Sequence, residues 1–447
     1  MLKKIPFAQA LLLTGIAFSN PALSTDLATA YKLALDYDSA IAASNASLMA
    51  QREGESQALA GLLPQINLSA GAAHNDRTAD QAADDSYVTS TYGVSLTQPV
   101  FRAQTWFSYQ ASKSNTKIAE AQFEISQQQL ILDVSTAYFN VLRAQDQLTT
   151  TQAAEAAFKR QWEQSKERFD VGLIAITEVH EARATYDSSQ TARIRAEGNL
   201  DIALESLSRL TGTRIDTLSV LAEDFPITQP APTNLNAWLE QSLANNLSVK
   251  AGRYTLETLQ ESLKVEKSGH YPTLDLYASY DNSDFNGPSP ADDNQNQASV
   301  GLSFNLPLYQ GGGTQASVKK ARYQVEEARH NLDTVTRNVK LDTTRYYRTI
   351  NTDIQTVNSQ KQLIVSRESA LEATRAGYSV GTRNIVEVLD AERNYYLALF
   401  DYATARYDYV IDTLLIKQAA GTLSPQDIID LNAWLRLAPP ASASSNP

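Results

Sequence analysis

The chain has 447 residues, no cysteine and a formal net charge of -12. Without cysteine it has neither a disulfide framework nor a thiolate metal site, and the acidic balance, with no basic patch, argues against a nucleic-acid partner. His74, His180, His270 and His330 are scattered without metal-ligand spacing, so neither a metal nor a cofactor is expected.

Residues 1–24 read as a secretory signal. Lys3 and Lys4 form a positive start, Phe7 to Phe18 an apolar core and Ala22-Leu23-Ser24 a small-residue cleavage site. That apolar run is too short to span a bilayer. No later stretch approaches about 20 consecutive apolar residues, so no transmembrane helix is expected.

The chain after the signal is one plan written twice. Leu63-Pro64-Gln65-Ile66-Asn67-Leu68 matches Tyr271-Pro272-Thr273-Leu274-Asp275-Leu276, and Leu96-Thr97-Gln98-Pro99-Val100-Phe101 matches Phe304-Asn305-Leu306-Pro307-Leu308-Tyr309 at the same offset. Phe169-Asp170-Val171-Gly172 pairs with Tyr378-Ser379-Val380-Gly381 one residue further on. A repeat of this length marks a duplicated unit. The first copy, 25–232, reads as a helix, strands 65–76 and 87–99, a long helix 102–169, a returning helix 178–211 and a linker 212–232 rich in proline. The second, 233–437, reads as helices, strands 273–282 and 297–307, a long helix 314–378, a returning helix 384–420 and a closing segment 421–437. The Pro-, Ala- and Ser-rich residues 438–447 are expected to be a disordered tail.

The strands alternate. Ile66, Leu68, Ala70 and Ala72 oppose Asn67, Ser69, Gly71 and Ala73, and Ala298, Val300, Leu302, Phe304 and Leu306 repeat the pattern. Each run is near the ~9–11 residues that cross a bilayer. A soluble sandwich hairpin gives the same alternation. A lipid-exposed sheet cannot keep open edges, and four strands cannot close a pore-forming barrel. If these strands cross a membrane, several chains must pool them, giving 8 strands as a dimer or 12 as a trimer. Both hairpins enter and leave through helices. The acid-rich loops Arg77 to Ser86 and Asn282 to Asn296, with Asp80, Asp84, Asp85, Asp284, Asp292 and Asp293, then lie outside the cell and the helices in the periplasm. Pro64, Pro99, Pro272 and Pro307 mark the four strand–helix junctions.

No proline interrupts Pro99 to Pro226 or Pro307 to Pro425, so each long helix reaches about 65 residues, or ~100 Å at 1.5 Å per residue. Phe123, Leu130, Val134, Ala137, Val141, Ala144 and Leu148 keep coiled-coil spacing, as do Val325, Ala328, Leu332, Val335 and Val339. The returning helices leave from the Gly172 and Gly381 turns, which form the tip furthest from the sheet. At the second turn Asn384 stands three residues before Glu387, the spacing of a capping box, and Glu387 and Asp390 share one face of the early turns. Gly311-Gly312-Gly313 lacks the Lys and Ser/Thr of a phosphate loop and eases the strand-to-helix transition instead.

The chain resembles the TolC family, trimeric outer-membrane exit ducts of drug efflux and type I secretion. The resemblance spans essentially the whole sequence after the signal. It is carried by Leu62-Leu63-Pro64-Gln65, Ala137-Tyr138-Phe139-Asn140-Val141-Leu142, Arg168-Phe169-Asp170-Val171-Gly172-Leu173, Gly301-Leu302-Ser303-Phe304 and Ala376-Gly377-Tyr378-Ser379-Val380-Gly381-Thr382-Arg383. It implies an α+β membrane protein: a homotrimeric 12-stranded β-barrel, four strands per chain, continued by a 12-helix periplasmic α-barrel. It also implies outer-membrane lipid, a periplasmic adaptor (membrane fusion) protein and an inner-membrane pump of RND, ABC or MFS type as partners.

The family resemblance further implies a latch at the periplasmic entrance. Tyr378 and Arg383 match its inner-coil residues and Thr177 and Glu178 their outer-coil partners, the arginine reaching a neighbouring hydroxyl and carbonyls. Glu178 replaces the usual aspartate. Arg375 stands where relatives can carry an acid, with Gln161 and Gln164 facing it, so a second latch there must differ. Glu387 and Asp390 match acidic rings that bring six carboxylates around one axis and favour cations. The first copy carries Ile174-Ala175-Ile176-Thr177 where the second has Arg383-Asn384-Ile385-Val386, so one repeat gates and the other holds the latch. An adhesive trimer on a coiled-coil stalk is the rival reading. An enzyme is disfavoured, because Glu387 and Asp390 have no nucleophile or metal set beside them.

Overall fold

The computed structural model describes residues 25–79, 82–215, 217–286 and 295–437, without the side chains of 77–79 and 82–85. The signal segment, Asp80, Asp292, Asp293, the side chains of Asp84 and Asp85, and the tail expected to be disordered lie outside the described residues.

Helices α1 (Leu27–Tyr37) and α2 (Ser39–Ala60) lead into strands β1 (Gln65–Ala79) and β2 (Ala82–Arg102), then α3 (Ala103–Asp170) and α4 (Ile176–Thr211). After the short β3 (Val220–Leu221) the order repeats: α5 (Leu235–Asn245), α6 (Leu247–Lys267), β4 (Thr273–Asn286), β5 (Gln295–Asn305), α7 (Gly313–Ser379) and α8 (Ile385–Ala419). Helix α9 (Pro425–Asn432) and β6 (Leu435–Arg436) close the chain, β6 pairing with β3. Aspartate caps begin the first two helices: Thr29 N donates to Asp26 at 2.8 Å and Ala40 N to Asp38 at 2.8 Å.

The four long strands form one antiparallel sheet in the order β1-β2-β4-β5, leaving β1 and β5 as edges. β1, β2 and β4 run further than the alternation suggests, whereas β5 stops at Asn305, short of the expected end at 307, so Leu306 and Pro307 lie beyond it. Polar residues that read as loop pair across the ladder instead, as Asn282 Nδ2 donates to Asn296 at 2.6 Å. The ladder satisfies the backbone whatever the side chains, so polarity alone does not end a strand. Pro99 likewise does not end β2. The strand continues to Arg102 through an irregularity between Pro99 and Phe101, a place where a missing N–H is tolerated.

Helices α3 and α7 have 68 and 67 residues, about 100 Å each. Both start at the sheet, α7 after Gly311 and Gly312 in the left-handed region (φ +60° and +83°), so the α3–α4 and α7–α8 turns lie at the far end. Among the described residues no helix is long and apolar enough to cross a membrane.

The main core surrounds the middle of α3. Leu130, Val134, Tyr138, Phe139 and Val141 pack with Leu27 of α1, Leu207 of α4, Trp238 of α5 and Val410, Leu414 and Ile416 of α8. The run 137–142 is therefore the centre of the protein. Tyr138 is wholly buried, and its hydroxyl donates to the carbonyl of Ser219 at 2.7 Å, which spares a core polar group from going unpaired. Beyond this core, toward the tip, a second, smaller apolar cluster joins the two coiled coils, α3/α4 and α7/α8.

Candidate functional site

The two tip turns share their backbone and differ in their chemistry. Gly172 and Gly381 take φ of +77° and +79°, a conformation glycine adopts without Cβ strain. Helix α4 starts at Ala175 with no side-chain cap. Helix α8 starts with the capping box read from the sequence: Glu387 N donates to Asn384 Oδ1 at 3.0 Å, and Asn384 N to Glu387 Oε1 at 3.4 Å. Gly377 accepts from Thr382 N at 2.9 Å and from the Thr382 hydroxyl at 3.0 Å. A Cβ at Gly377 would sit 2.7 Å from Arg383 Cγ, so glycine there is what lets the arginine side chain lie across the helix end.

Tyr378 bridges the coils. Its hydroxyl donates to Glu178 Oε2 at 3.2 Å, while Arg168 lies 4.9 Å from its ring centroid. The glutamate's extra methylene thus still reaches the tyrosine. Thr177 is exposed at the same end of α4. Arg383 does not join it within the chain: its guanidinium pairs with Glu387, one helical turn on. The i,i+4 spacing places both on one face at the helix start, so the local pair forms first.

The acids change accordingly. Arg383 holds the Glu387 carboxyl below the ordinary glutamate range, with the capping N–H of Asn384 assisting. Asp390 pairs with Arg393. Each of the two acids therefore carries an arginine beside it, which lowers the net charge of any ring they form.

Below the turn sits the second cluster. Ile385 and Leu389 of α8 are 1% and 3% exposed and pack against Phe158 of α3 and Ala182 of α4, with Trp162, Tyr186 and Tyr378 at its border. Trp162 stacks on Tyr186 at 5.6 Å and 10°. Sequence reasoning passed over these residues. The only signal was Ile385 and Leu389 at i,i+4 just inside a strong cap, and their partners on the other coil are more than two hundred residues away. Beside the cluster, Arg375 pairs with the carboxylate of Glu392, which is buried at 2% exposure. Of the residues the sequence assigned to the site, Tyr378 and Glu178 meet, Arg383 and Glu387 meet, and Thr177 and Asp390 stand apart from both pairs. Among the described residues no cluster of His, Asp and Glu has the form of a metal site.

The sequence matches the outer membrane efflux protein family over residues 30–213 and 238–422. The chain belongs to that family. It is 38% identical to the outer membrane protein TolC of Escherichia coli, over 97% of this chain and 89% of that one. It is 37% identical to TolC of Vibrio cholerae, over 94% and 96%. The proteases secretion protein PrtF of Dickeya chrysanthemi is 28% identical over 92% of both. Among solved structures, the outer membrane channel CmeC of Campylobacter jejuni superposes with a TM-score of 0.76 at 17% identity, covering 97% of this chain and 98% of that one. VceC of Vibrio cholerae gives 0.75 at 17%, covering 88% and 96%.

The fold is that of the channel-tunnels, in which four strands and the long helices of each chain are one third of a 12-stranded β-barrel and its α-barrel. The chain is an outer-membrane exit duct for efflux and type I secretion, its helical part in the periplasm. Family and fold are those of channel proteins.

Proposed function

We propose that this duct is a passive conduit whose periplasmic tip is held shut by the α7–α8 turn and opens when an adaptor and an inner-membrane pump engage it. Three chains close the barrel by pairing edge strand β5 of each with β1 of the next. The exposed apolar face, with Ile66, Leu68, Val300, Leu302 and Phe304, meets outer-membrane lipid. The observation that carries the gate is the docking of the start of α8 on the outer coil. Tyr378 bonds to Glu178 while Ile385 and Leu389 fill a pocket made by Phe158 and Ala182. The adhesive reading gives such a docked, returning tip nothing to do.

Arg383 has a double role in this reading. It neutralises Glu387 in the free chain, and it is the group at the helix end positioned to exchange that partner for an acceptor on a neighbouring outer coil, such as Thr177. Glu387 and Asp390 line the entrance on the three-fold axis, where six carboxylates tempered by six arginines still attract multivalent cations. Protein reconstituted in planar bilayers tests the gate. The wild type forms a low-conductance pore, and Tyr378→Phe and Arg383→Ser raise its conductance. Unchanged conductance in both variants sinks the latch.

A further inference from the structure

A cleft between the coils carries a chemistry different from that of the apolar cluster beside it. About 400 Å³ in volume, it lies between α3 on the outer side and α7 and α8 on the inner side, next to Tyr378. Arg160, Gln161, Gln164 and Arg168 line it from α3, and Arg375 and Glu392 from the inner coil. Three guanidiniums thus face one carboxylate, in a protein whose net charge is -12.

The pairing inside the cleft leaves positive charge over. Glu392 is consumed by Arg375. The neighbouring Glu163 is taken by Lys159 on the same helix. Among the described residues Arg160 and Arg168 have no carboxylate partner; Arg168 has only the ring of Tyr378. Gln161 Nε2 is buried and donates to nothing. A buried donor without an acceptor is costly, and two guanidiniums with no carboxylate leave net positive charge in the cleft. Residues 160, 164 and 168 follow one another at i,i+4 spacing, so the two free guanidiniums reach in from points about 12 Å apart along one face.

We infer that this cleft binds a small multivalent oxyanion, sulfate or phosphate in class, held by Arg160, Gln161 and Gln164 from the outer coil opposite Arg375 of the inner one. Oxyanions suit the site because guanidinium and amide N–H groups present several donors to tetrahedral oxygens at once. Bound there, the anion neutralises the outer coil's charge and, by also accepting from Arg375, braces the two coils. That consequence rests on the reading of the tip as a gate; the binding itself does not.

Calorimetric titration of the detergent-solubilised full-length protein with sodium sulfate, at constant ionic strength in chloride, tests the site. The wild type gives saturable binding. Arg160→Gln, an exposed position outside the latch, weakens it by roughly tenfold, the loss of one charge-assisted contact, and Arg160→Lys restores part of it. No saturable binding in the wild type, or equal binding in Arg160→Gln, overturns the site whatever the gate does. Planar bilayers then test the brace: sulfate lowers wild-type conductance and not that of Arg160→Gln. Sulfate binding without that change overturns the brace and leaves the anion site and the Tyr378 latch to stand on their own measurements.

Discussion

The structure sets an apolar contact against a polar one at the tip, and their relative weight is open to measurement. Tyr378 to Glu178 is one hydrogen bond of 3.2 Å between half-buried side chains. Its carboxylate acceptor strengthens it and its partial exposure weakens it, so removing it with Tyr378→Phe costs about 1 kcal/mol. Leu389 is 3% exposed among Phe158, Ala182 and Ile385. Leu389→Ala strips a buried side chain from a small cluster with little freedom to collapse, which costs roughly 2–5 kcal/mol. If opening undocks α8 from the outer coil, the first change shifts the equilibrium by about fivefold and the second by about thirtyfold or more. Single-channel recording measures both as open-state occupancy, with the exposed Val380→Ala as control. Leu389→Ala should open the tip further than Tyr378→Phe. If Leu389→Ala leaves occupancy at the control level while Tyr378→Phe raises it, α8 and the outer coil move as one body and the undocking argument is wrong.

The same geometry sets three further outcomes. Glu387→Ala with Asp390→Ala should weaken block by trivalent cations. Because Arg383 depresses the Glu387 carboxyl, wild-type block should persist as pH falls through the ordinary glutamate range; loss of block already near pH 5 contradicts the pairing. Gly377→Ala should raise conductance much as Arg383→Ser does, since its Cβ occupies the space of Arg383 Cγ; wild-type conductance would show that the arginine rearranges freely. Finally, burial and the neighbouring carboxylates of Asp412 and Asp408 raise Asp353 to about 7, with Asp412 also raised and Arg345 and Arg143 the facing cations. A carboxyl raised on folding stabilises the protein below its unfolded value near 3.8, and that contribution is lost as pH rises through about 7. Thermal stability should therefore fall from pH 5 to pH 8 in the wild type and fall less in Asp353→Asn; parallel profiles would refute the raised carboxyl.

Much of this architecture is legible in the sequence because it rests on local rules. The absence of proline permits helices of this length, heptad spacing picks the seam residues Leu130, Val134, Ala137 and Val141, all buried, and two-residue alternation picks the strands. The capping box is legible for the same reason: Asn384 and Glu387 are three residues apart and satisfy each other. The strand ends are not, because what keeps Asn282 and Asn296 in a strand is the partner strand rather than their own propensity.

The tip is where local reading fails, in both directions. Reading Glu387 and Asp390 as bare acids overlooks that Arg383 stands four residues before the first and Arg393 three after the second, positions where a pair forms whatever the tertiary structure does. Local spacing alone shows both pairs. It does not show the contact of Ile385 and Leu389 with Phe158 and Ala182, since nothing in either segment names the other. Nor does it show the partner of Arg375, because Glu392 lies on the returning helix at a depth set by how α7 and α8 pair. Sequence therefore points to the proposed gate through its polar residues, the ones whose local geometry is strongest. The energy that docks α8 lies mostly in the apolar contacts between distant segments, where a folded structure is needed to see them.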